Sequence, residues 1–502
     1  MLPTFSIVIN TLNRGALLAQ TLDSLRWLRY RGGFEVIVVN GPSTDNSQDV
    51  IEAWGSALRS ARCPVANLSV SRNIGICMAR GDIVAFIDDD AIPEPEWLAQ
   101  LAAAYDGPLV GAAGGLVFDQ TGYSYQYEYA TATRLANAEW RSGASAGHLC
   151  FPRSFEFPYL QGTNASFRRS ALLAVGGFDE EIEYYLDETE LCCRLVDAGY
   201  LIRQLPHAYV HHKFAPSNIR NEHRITRYRY PVLKNKLYVS LKHARSHLPL
   251  EAILEDNRRF AAREAQDVEF HIAGGRLPAS ERALFDEQRQ AAWERGLARG
   301  LSGSHETITP EKRAAFAGEF RPFDRVIAAP APKAIVFIAR RFSDTEARLA
   351  HALGADGHIV CVVTESPDVN RVDFEEGVWM HRLAAQDAWD WPAAARGELV
   401  RIARHRRIDV VEAAFAGAEA AALLDDAAAW PLVVSATAAL SWPLSPLQLA
   451  LLGYAQAVRC ADPATEARLA QARGAPFEGQ ALVLHPAPAG AAASGQAHQD
   501  RH

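Results

Sequence analysis

The chain has 502 residues, 49% of them hydrophobic and 22% charged, with a formal net charge of −8. That length allows two or three domains with full cores, and the acidic balance excludes a general nucleic-acid binder. Seven cysteines without a C-x-x-C spacing point to reduced, mostly buried thiols in a reducing compartment. Met1-Leu2-Pro3 runs straight into an apolar stretch without a basic and apolar leader, so no signal peptide is expected. No apolar run reaches a membrane-spanning length; the most apolar region, 409–442, is broken by Glu412, Glu419, Asp425 and Asp426. The expected location is cytoplasmic.

Phe5 to Asn10 is a continuous run of strand type, the mark of a strand buried on both faces. Thr11 to Gly15 reads as a loop, and Leu17, Leu18, Leu22 and Leu25 mark the helix after it. Phe34 to Val39 is the next strand, followed by a turn over Asn40 to Ser47 and a second helix. Val65 to Ser71 reads as a short strand leading to Arg72-Asn73-Ile74-Gly75. Ile83 to Ile87 is another buried strand, and it ends abruptly in Asp88-Asp89-Asp90. Three adjacent acids repel one another unless a hard divalent cation sits among them. The alternative is a solvated acidic turn.

Strands alternating with helices imply a parallel α/β sheet, which binds ligands at the carboxyl ends of its strands. Thr11 to Arg14, Asn40 to Asp45, Arg72-Asn73 and Asp88 to Asp90 all stand at such ends. Singly, Ser43, Thr44 or Asp45 is a helix N-cap, Asn73 and Gly75 a turn, and Arg14 a surface residue. Together at one sheet edge they read as a binding site.

Five motifs then carry a resemblance. They are Ser6 to Arg14, Val38 to Asp45, Phe86 to Asp90, Gly176-Gly177-Phe178-Asp179-Glu180 and Asp187-Glu188-Thr189-Glu190-Leu191. In this order, residues 5–215 resemble the family 2 glycosyltransferases, which have a GT-A fold. The resemblance implies an inverting transferase that moves a sugar from a nucleotide diphosphate to an acceptor hydroxyl. It places Thr11, Asn13, Arg14, Asn40, Ser43, Asp45, Arg72, Asn73, Asp88, Asp89 and Asn164 at the nucleotide-sugar. The family often has an aspartate where this chain has Asn40, which leaves the nucleotide base open.

The resemblance also assigns the chemistry. The acceptor hydroxyl must lose its proton as it attacks, so a carboxylate base is needed opposite the departing diphosphate. The family places it in an acidic pair at a helix start, here Asp187 and Glu188, with Glu188 the better match. Asp90, Asp88 and His211 are expected to hold Mn2+ or Mg2+, with His212 as the weaker histidine. Tyr159 to Arg169 resembles the family strand beneath the sugar; Gly162 would allow close approach and Asn164 would bond a hydroxyl. A plain edge strand with a bulge is the other reading.

Between 213 and 245 lie nine lysines and arginines against Glu222. Three readings stand: a lid closing on the diphosphate, a patch for anionic lipid or a lipid-diphosphate acceptor, and a solvated helix face. Peripheral contact with the inner face of a membrane belongs to the second. Residues 246–329 read as a helical bridge from the 1–245 catalytic domain to a smaller Rossmann-like domain over 330–486, and 487–502 as a disordered tail. The second domain weakly resembles the N-terminal half of a GT-B glycosyltransferase. It lacks a Gly-rich loop after Ala339, which fits an acceptor-binding or interaction module. The expected fold class is therefore α/β, a GT-A-type mixed sheet with a helical bridge and a second Rossmann-like sheet. The expected partners are a nucleotide-sugar donor and a glycan or lipid-linked acceptor, in polysaccharide or glycoconjugate synthesis. A sugar-nucleotide-forming nucleotidyltransferase and an inactive scaffold are the alternatives.

Overall fold

The computed structural model describes residues 2–483 except 142, 218, 304, 317, 328–329, 385–389, 418, 425–429, 437–439 and 476–480. The tail expected over 487–502 lies outside the described residues. Contacts divide the chain into two compact units, Met1–Val326 and Ile327–His502.

The first unit is built on a seven-stranded sheet. Its order is Leu201–Gln204, Val110–Gly114, Ala165–Arg168, Ile83–Phe86, Phe5–Thr11, Phe34–Asn40, Arg59–Arg62. Only Ala165–Arg168 runs antiparallel to its neighbours, so the sheet is mixed. The β-branched runs behave as expected: Ile7, Val8, Ile9, Val36, Ile37, Val38 and Val39 are fully buried, because helices cover both faces. The strand expected over 65–71 is instead the start of the helix Leu68–Met78, whose N-cap Asn67 accepts a bond from the backbone N–H of Val70. One of the two edge strands, Arg59–Arg62, is polar and half-exposed.

Residues 246–326 lie inside this first unit. The helices Tyr230–His243 and Glu281–Ser302 pack closely because Gly296 and Gly300 have no side chain. A Cβ at Gly296 would meet the carbonyl of Lys234 at 2.9 Å, and one at Gly300 would meet Leu241 Cβ at 2.7 Å. No described helix is long and apolar enough to cross a membrane. All seven cysteines are free, and all but Cys150 are buried.

The second unit carries an eight-stranded sheet, parallel except for Arg371–Glu375. Its first strand, Ala334–Ile338, lies between Ile359–Ser366 and Val410–Ala414, so the strand order reverses there. The helix Asp344–Ala355 opens with the expected capping box of Ser343 and Glu346. At the reversal point the carboxylate of Glu419 accepts from the backbone N–H of Arg340 and from Trp391 Nε1 at 3.1 Å. Burial raises its pKa from 4.5 to about 7, more than these bonds lower it. A raised folded pKa contributes stability that is complete below pH 4.5 and lost as pH rises through about 7. That gap corresponds to about 3 kcal/mol. Glu419→Gln is therefore expected to flatten the pH dependence of amide-exchange protection in the strand Val410–Ala414 between these values. Equal slopes in the two proteins would contradict this.

Candidate active site

The carboxyl ends of the parallel strands bring together two acidic clusters. The first follows Ile83–Phe86. After Asp88-Asp89-Asp90 the chain forms the short strand Ala91–Pro93, which pairs antiparallel with Val210–His212. The register sets His212 opposite Ala91 and His211 opposite Ile92. Successive side chains on a strand face opposite ways, so only one histidine can meet the acids. It is His212, whose Nε2 lies 3.1 Å from Asp90 Oδ1 and 3.5 Å from Asp88 Oδ2. Its Nδ1 lies 2.8 Å from Gln126 Oε1, a partner the sequence did not suggest. His211, the expected ligand, instead stacks on Phe118 and meets Glu94 at 3.2 Å.

The three aspartates separate in role. Asp89 is buried and pairs with Arg14 at 2.9 Å; burial pushes its pKa up to about 6 in spite of that arginine. Asp90 is also buried, but His212, Arg14 and the N–H of Ala215 at 2.8 Å outweigh burial and hold its carboxyl well below the usual range. Asp88 is the most exposed of the three. Arg14 also donates to the carbonyls of Ala215 and Pro216, which ties the 213–217 segment to the cluster.

Asp88, Asp90 and His212 present donor atoms within 4.8 Å of one another. Two carboxylates and an imidazole fit a divalent cation such as Mn2+ or Mg2+, with the carboxylates the harder ligands.

Beside this cluster the loops after the first two strands are laced together. Asn13, at φ 56°, accepts from the N–H of Thr44 at 2.7 Å and of Asp45 at 3.3 Å. Ser43 donates to Asn40 at 2.7 Å and accepts from the N–H of Asn13 at 3.0 Å. Asp45 accepts from the N–H of Gly15 at 2.9 Å and of Ser47 at 3.0 Å. Thr11 is buried at the end of its strand. These residues share one rim, and most of their polar atoms shape it.

The second cluster opens the helix Asp187–Asp197. Tyr185 and Leu186 both have φ 70°, a left-handed conformation that costs such side chains free energy. Asn235 offsets it by donating to the carbonyls of Tyr184 and Tyr185, at 2.6 and 3.1 Å. The turn aims Asp187 and Glu188 at Arg72, which is buried between the rings of Phe86 and Phe178. Arg72 bonds Asp187 directly and lies 3.5 Å from Glu188. Burial and the neighbouring Glu188 push the Asp187 carboxyl up, although Arg72 opposes them. For Glu188 burial is outweighed by Arg72 and by hydrogen bonds from Asp187 and Gly162, which lower its pKa. The third acid, Glu190, is fully buried in a separate ionic knot with Arg194, Lys242 and His243.

Gly162 and Thr163 connect the clusters. The N–H of Gly162 donates to Glu188 Oε1 at 2.9 Å, and the hydroxyl of Thr163 accepts from the N–H of Asp88 at 3.4 Å. A Cβ at Gly162 would collide with Arg72 and lie 2.9 Å from Glu188, so this glycine admits protein side chains here.

Two expected ligand contacts are engaged in the scaffold instead. Asn164 is 1% exposed, accepts from Trp97 at 2.8 Å and donates to the carbonyls of Leu116 and Ala208. Asn73 binds Phe178 N–H and carbonyl, both at 2.8 Å, and stitches its helix to the Gly177–Glu180 turn. Four of the nine basic residues of 213–245 are engaged internally. Arg229 pairs with Glu264 and Asp267, Lys234 with Glu183, Lys236 with Asp256, and Lys242 with Asp179 and Glu190. Acids distant in sequence neutralise these four charges, while Arg224 and Arg245 of the same stretch are exposed.

Residues 6–176 match the family model described as Glycosyl transferase family 2. The chain is 27% identical over 236 residues to the uncharacterized protein y4gI of Sinorhizobium fredii, covering 42% of this chain and 24% of that protein. It is 34% identical over 111 residues to validoxylamine A glucosyltransferase of Streptomyces hygroscopicus, covering 21% of this chain and 26% of that one. It therefore spans about a quarter of the length of these two relatives. Among solved structures, the mannosyltransferase PcManGT of Pyrobaculum calidifontis, in complex with GDP-Man and Mn2+, aligns with a TM-score of 0.37 and 18% identity over 60% of this chain and 88% of that one. With the family match covering the central strands and the first acidic cluster, the first unit carries a family 2 glycosyltransferase domain.

Proposed function

We propose that the first unit transfers a sugar from a nucleotide diphosphate to a hydroxyl of a glycan or lipid-linked acceptor, with inversion at the anomeric carbon. The observation that supports this most is the pairing through Gly162 and Thr163: adjacent residues hold Glu188 and Asp88, so a base and a candidate cation site lie next to one another.

Glu188 acts as the base. Its pKa is lowered by Arg72, its side chain is 18% exposed, and the Gly162 N–H fixes it, so it can take the acceptor's proton without reorganising. Arg72 keeps Glu188 charged and orients the pair. The loops over Thr11 to Arg14 and Asn40 to Asp45 form the rim that receives the nucleotide. Asp88, Asp90 and His212 would hold the divalent cation. Bound there, it would offset the charge that develops on the departing diphosphate. In the second unit the Glu419 carboxylate already accepts the Arg340 N–H at the switch point, where a ligand phosphate would dock. This supports an acceptor-binding or interaction module over a second nucleotide site.

A single displacement fixes the stereochemistry. Sugar first released by slow donor hydrolysis is expected to have the anomeric configuration opposite to the donor's, read by proton NMR before mutarotation. Retention would overturn the single-displacement reading.

A further inference from the structure

A groove of about 540 Å³ lies at the other edge of the central sheet. Its charged lining is Arg80, Arg169 and Arg313, and its apolar wall includes Leu173, Ile308 and Ala314. Arg80 precedes the strand Ile83–Phe86, and Arg169 follows Ala165–Arg168. Those strands pair antiparallel with Arg168 opposite Ile83. Both arginines therefore stand at the amino ends of the parallel strands, away from the acidic clusters at the carboxyl ends. Arg313 is contributed by the helix Pro310–Ala314.

The three guanidiniums differ in what they have left to bind. Arg80 is spent on structure. Its Nε donates to the carbonyl of Gly318 at 2.6 Å, its Nη2 to Phe316 at 2.7 Å, and its Nη1 to Cys77, Met78 and Ala79. It rivets the segment after the long helices to the sheet and adds only its charge to the groove. The Nε of Arg169 is buried without a hydrogen-bond partner, and among the described residues neither Arg169 nor Arg313 makes an ion pair. Glu35, the carboxylate whose field reaches Arg80 and Arg169, is fully buried. It already accepts from Arg59 at 3.1 Å, Ser6 at 2.7 Å and the N–H of Arg80 at 2.8 Å. Burial, then Arg80 and Arg313, lowers the pKa of Arg169, so the cluster is electrostatically unfavourable as it stands.

Uncompensated like charges lining one groove are relieved by an anion bound there. Guanidinium forks match phosphate oxygens in pairs, and a groove of this volume suits a small molecule. We propose that the groove is a second, non-catalytic site for a phosphate-bearing small molecule, whose phosphate is held by Arg169 and Arg313 and whose apolar part lies on Leu173, Ile308 and Ala314.

Phenyl phosphate is a suitable probe, with inorganic phosphate as its counterpart lacking an apolar part. Calorimetric titration of the full chain in EDTA keeps metal-assisted binding at the opposite edge out of the signal. Saturable one-to-one binding of phenyl phosphate is expected, tighter than that of inorganic phosphate. The double variant Arg169→Gln/Arg313→Gln should weaken it by about tenfold or more, and Asp90→Asn should leave it unchanged. A second measurement does not depend on the variant's folding: phenyl phosphate should protect Arg169 and Arg313 of the unaltered protein from phenylglyoxal, read by peptide mass spectrometry. Absence of saturable binding, equal affinity in the double variant, loss of binding in Asp90→Asn, or labelling unaffected by the probe would overturn the proposal. Equal affinity for the two phosphates would remove its apolar half.

Discussion

Glu188→Gln is expected to lower the turnover number by about 10²- to 10⁴-fold, the usual worth of a positioned base, with donor affinity nearly unchanged. The substitution keeps the shape of the side chain and leaves an oxygen for the Gly162 N–H, which now approaches Glu188 at 2.9 Å. What it removes is the basicity by which the carboxylate takes the proton. Asp187→Asn makes the opposite case. Burial and Glu188 favour the neutral form of Asp187, and an amide mimics a neutral acid beside Arg72. This variant should retain activity within about tenfold, since it removes no base. Turnover numbers and nucleotide dissociation constants for the pair decide between them. If Asp187→Asn loses turnover and Glu188→Gln does not, the two acids exchange roles.

The second large effect is at Asp90. Its carboxylate faces His212 at 3.1 Å and Arg14 at 3.4 Å, and accepts the Ala215 N–H at 2.8 Å. Removing its charge would take a ligand from a cation bound there, and leaves Arg14 and His212 less compensated. Asp90→Asn should cost more metal affinity than the roughly 10- to 100-fold that losing a supporting partner costs. Mn2+ titration followed by calorimetry or electron paramagnetic resonance reads this without turnover. Asp89→Asn is the control. Asp89 is turned to Arg14 at 2.9 Å, so its substitution should cost less metal affinity than Asp90→Asn. Equal losses in the two variants would remove the distinction between the aspartates.

Much of the central sheet is legible because its buried strands are uninterrupted apolar runs that end in polar clusters. Phe5–Thr11, Phe34–Asn40 and Ile83–Phe86 all obey that rule. Arg59–Arg62 does not, since an edge strand with half-exposed charged residues has no apolar signature. The acidic clusters are visible as composition, but the choice between His211 and His212 depends on a pairing register with Ala91–Pro93 that spans more than a hundred residues. The basic stretch misleads for a related reason. A local charge count registers Lys234 and Lys242, and not the Glu183, Asp179 and Glu190 that approach them in the folded chain. Asn164 illustrates a further limit: polar residues at strand ends hold loops as readily as ligands, and only their partners separate the two uses.

The two acidic clusters are proposed to bind a nucleotide-sugar together with a divalent cation. A thermal-shift panel of UDP-, GDP-, dTDP- and CDP-sugars, with and without Mn2+, tests this most directly. Donor at a hundredfold over its dissociation constant stabilises the folded chain by about 2.7 kcal/mol, which is readily detected. At least one donor is expected to raise the melting temperature in the presence of Mn2+, and Asp90→Asn should abolish the metal-dependent part. No shift with any donor, or a shift of the same size in Asp90→Asn, would contradict the account.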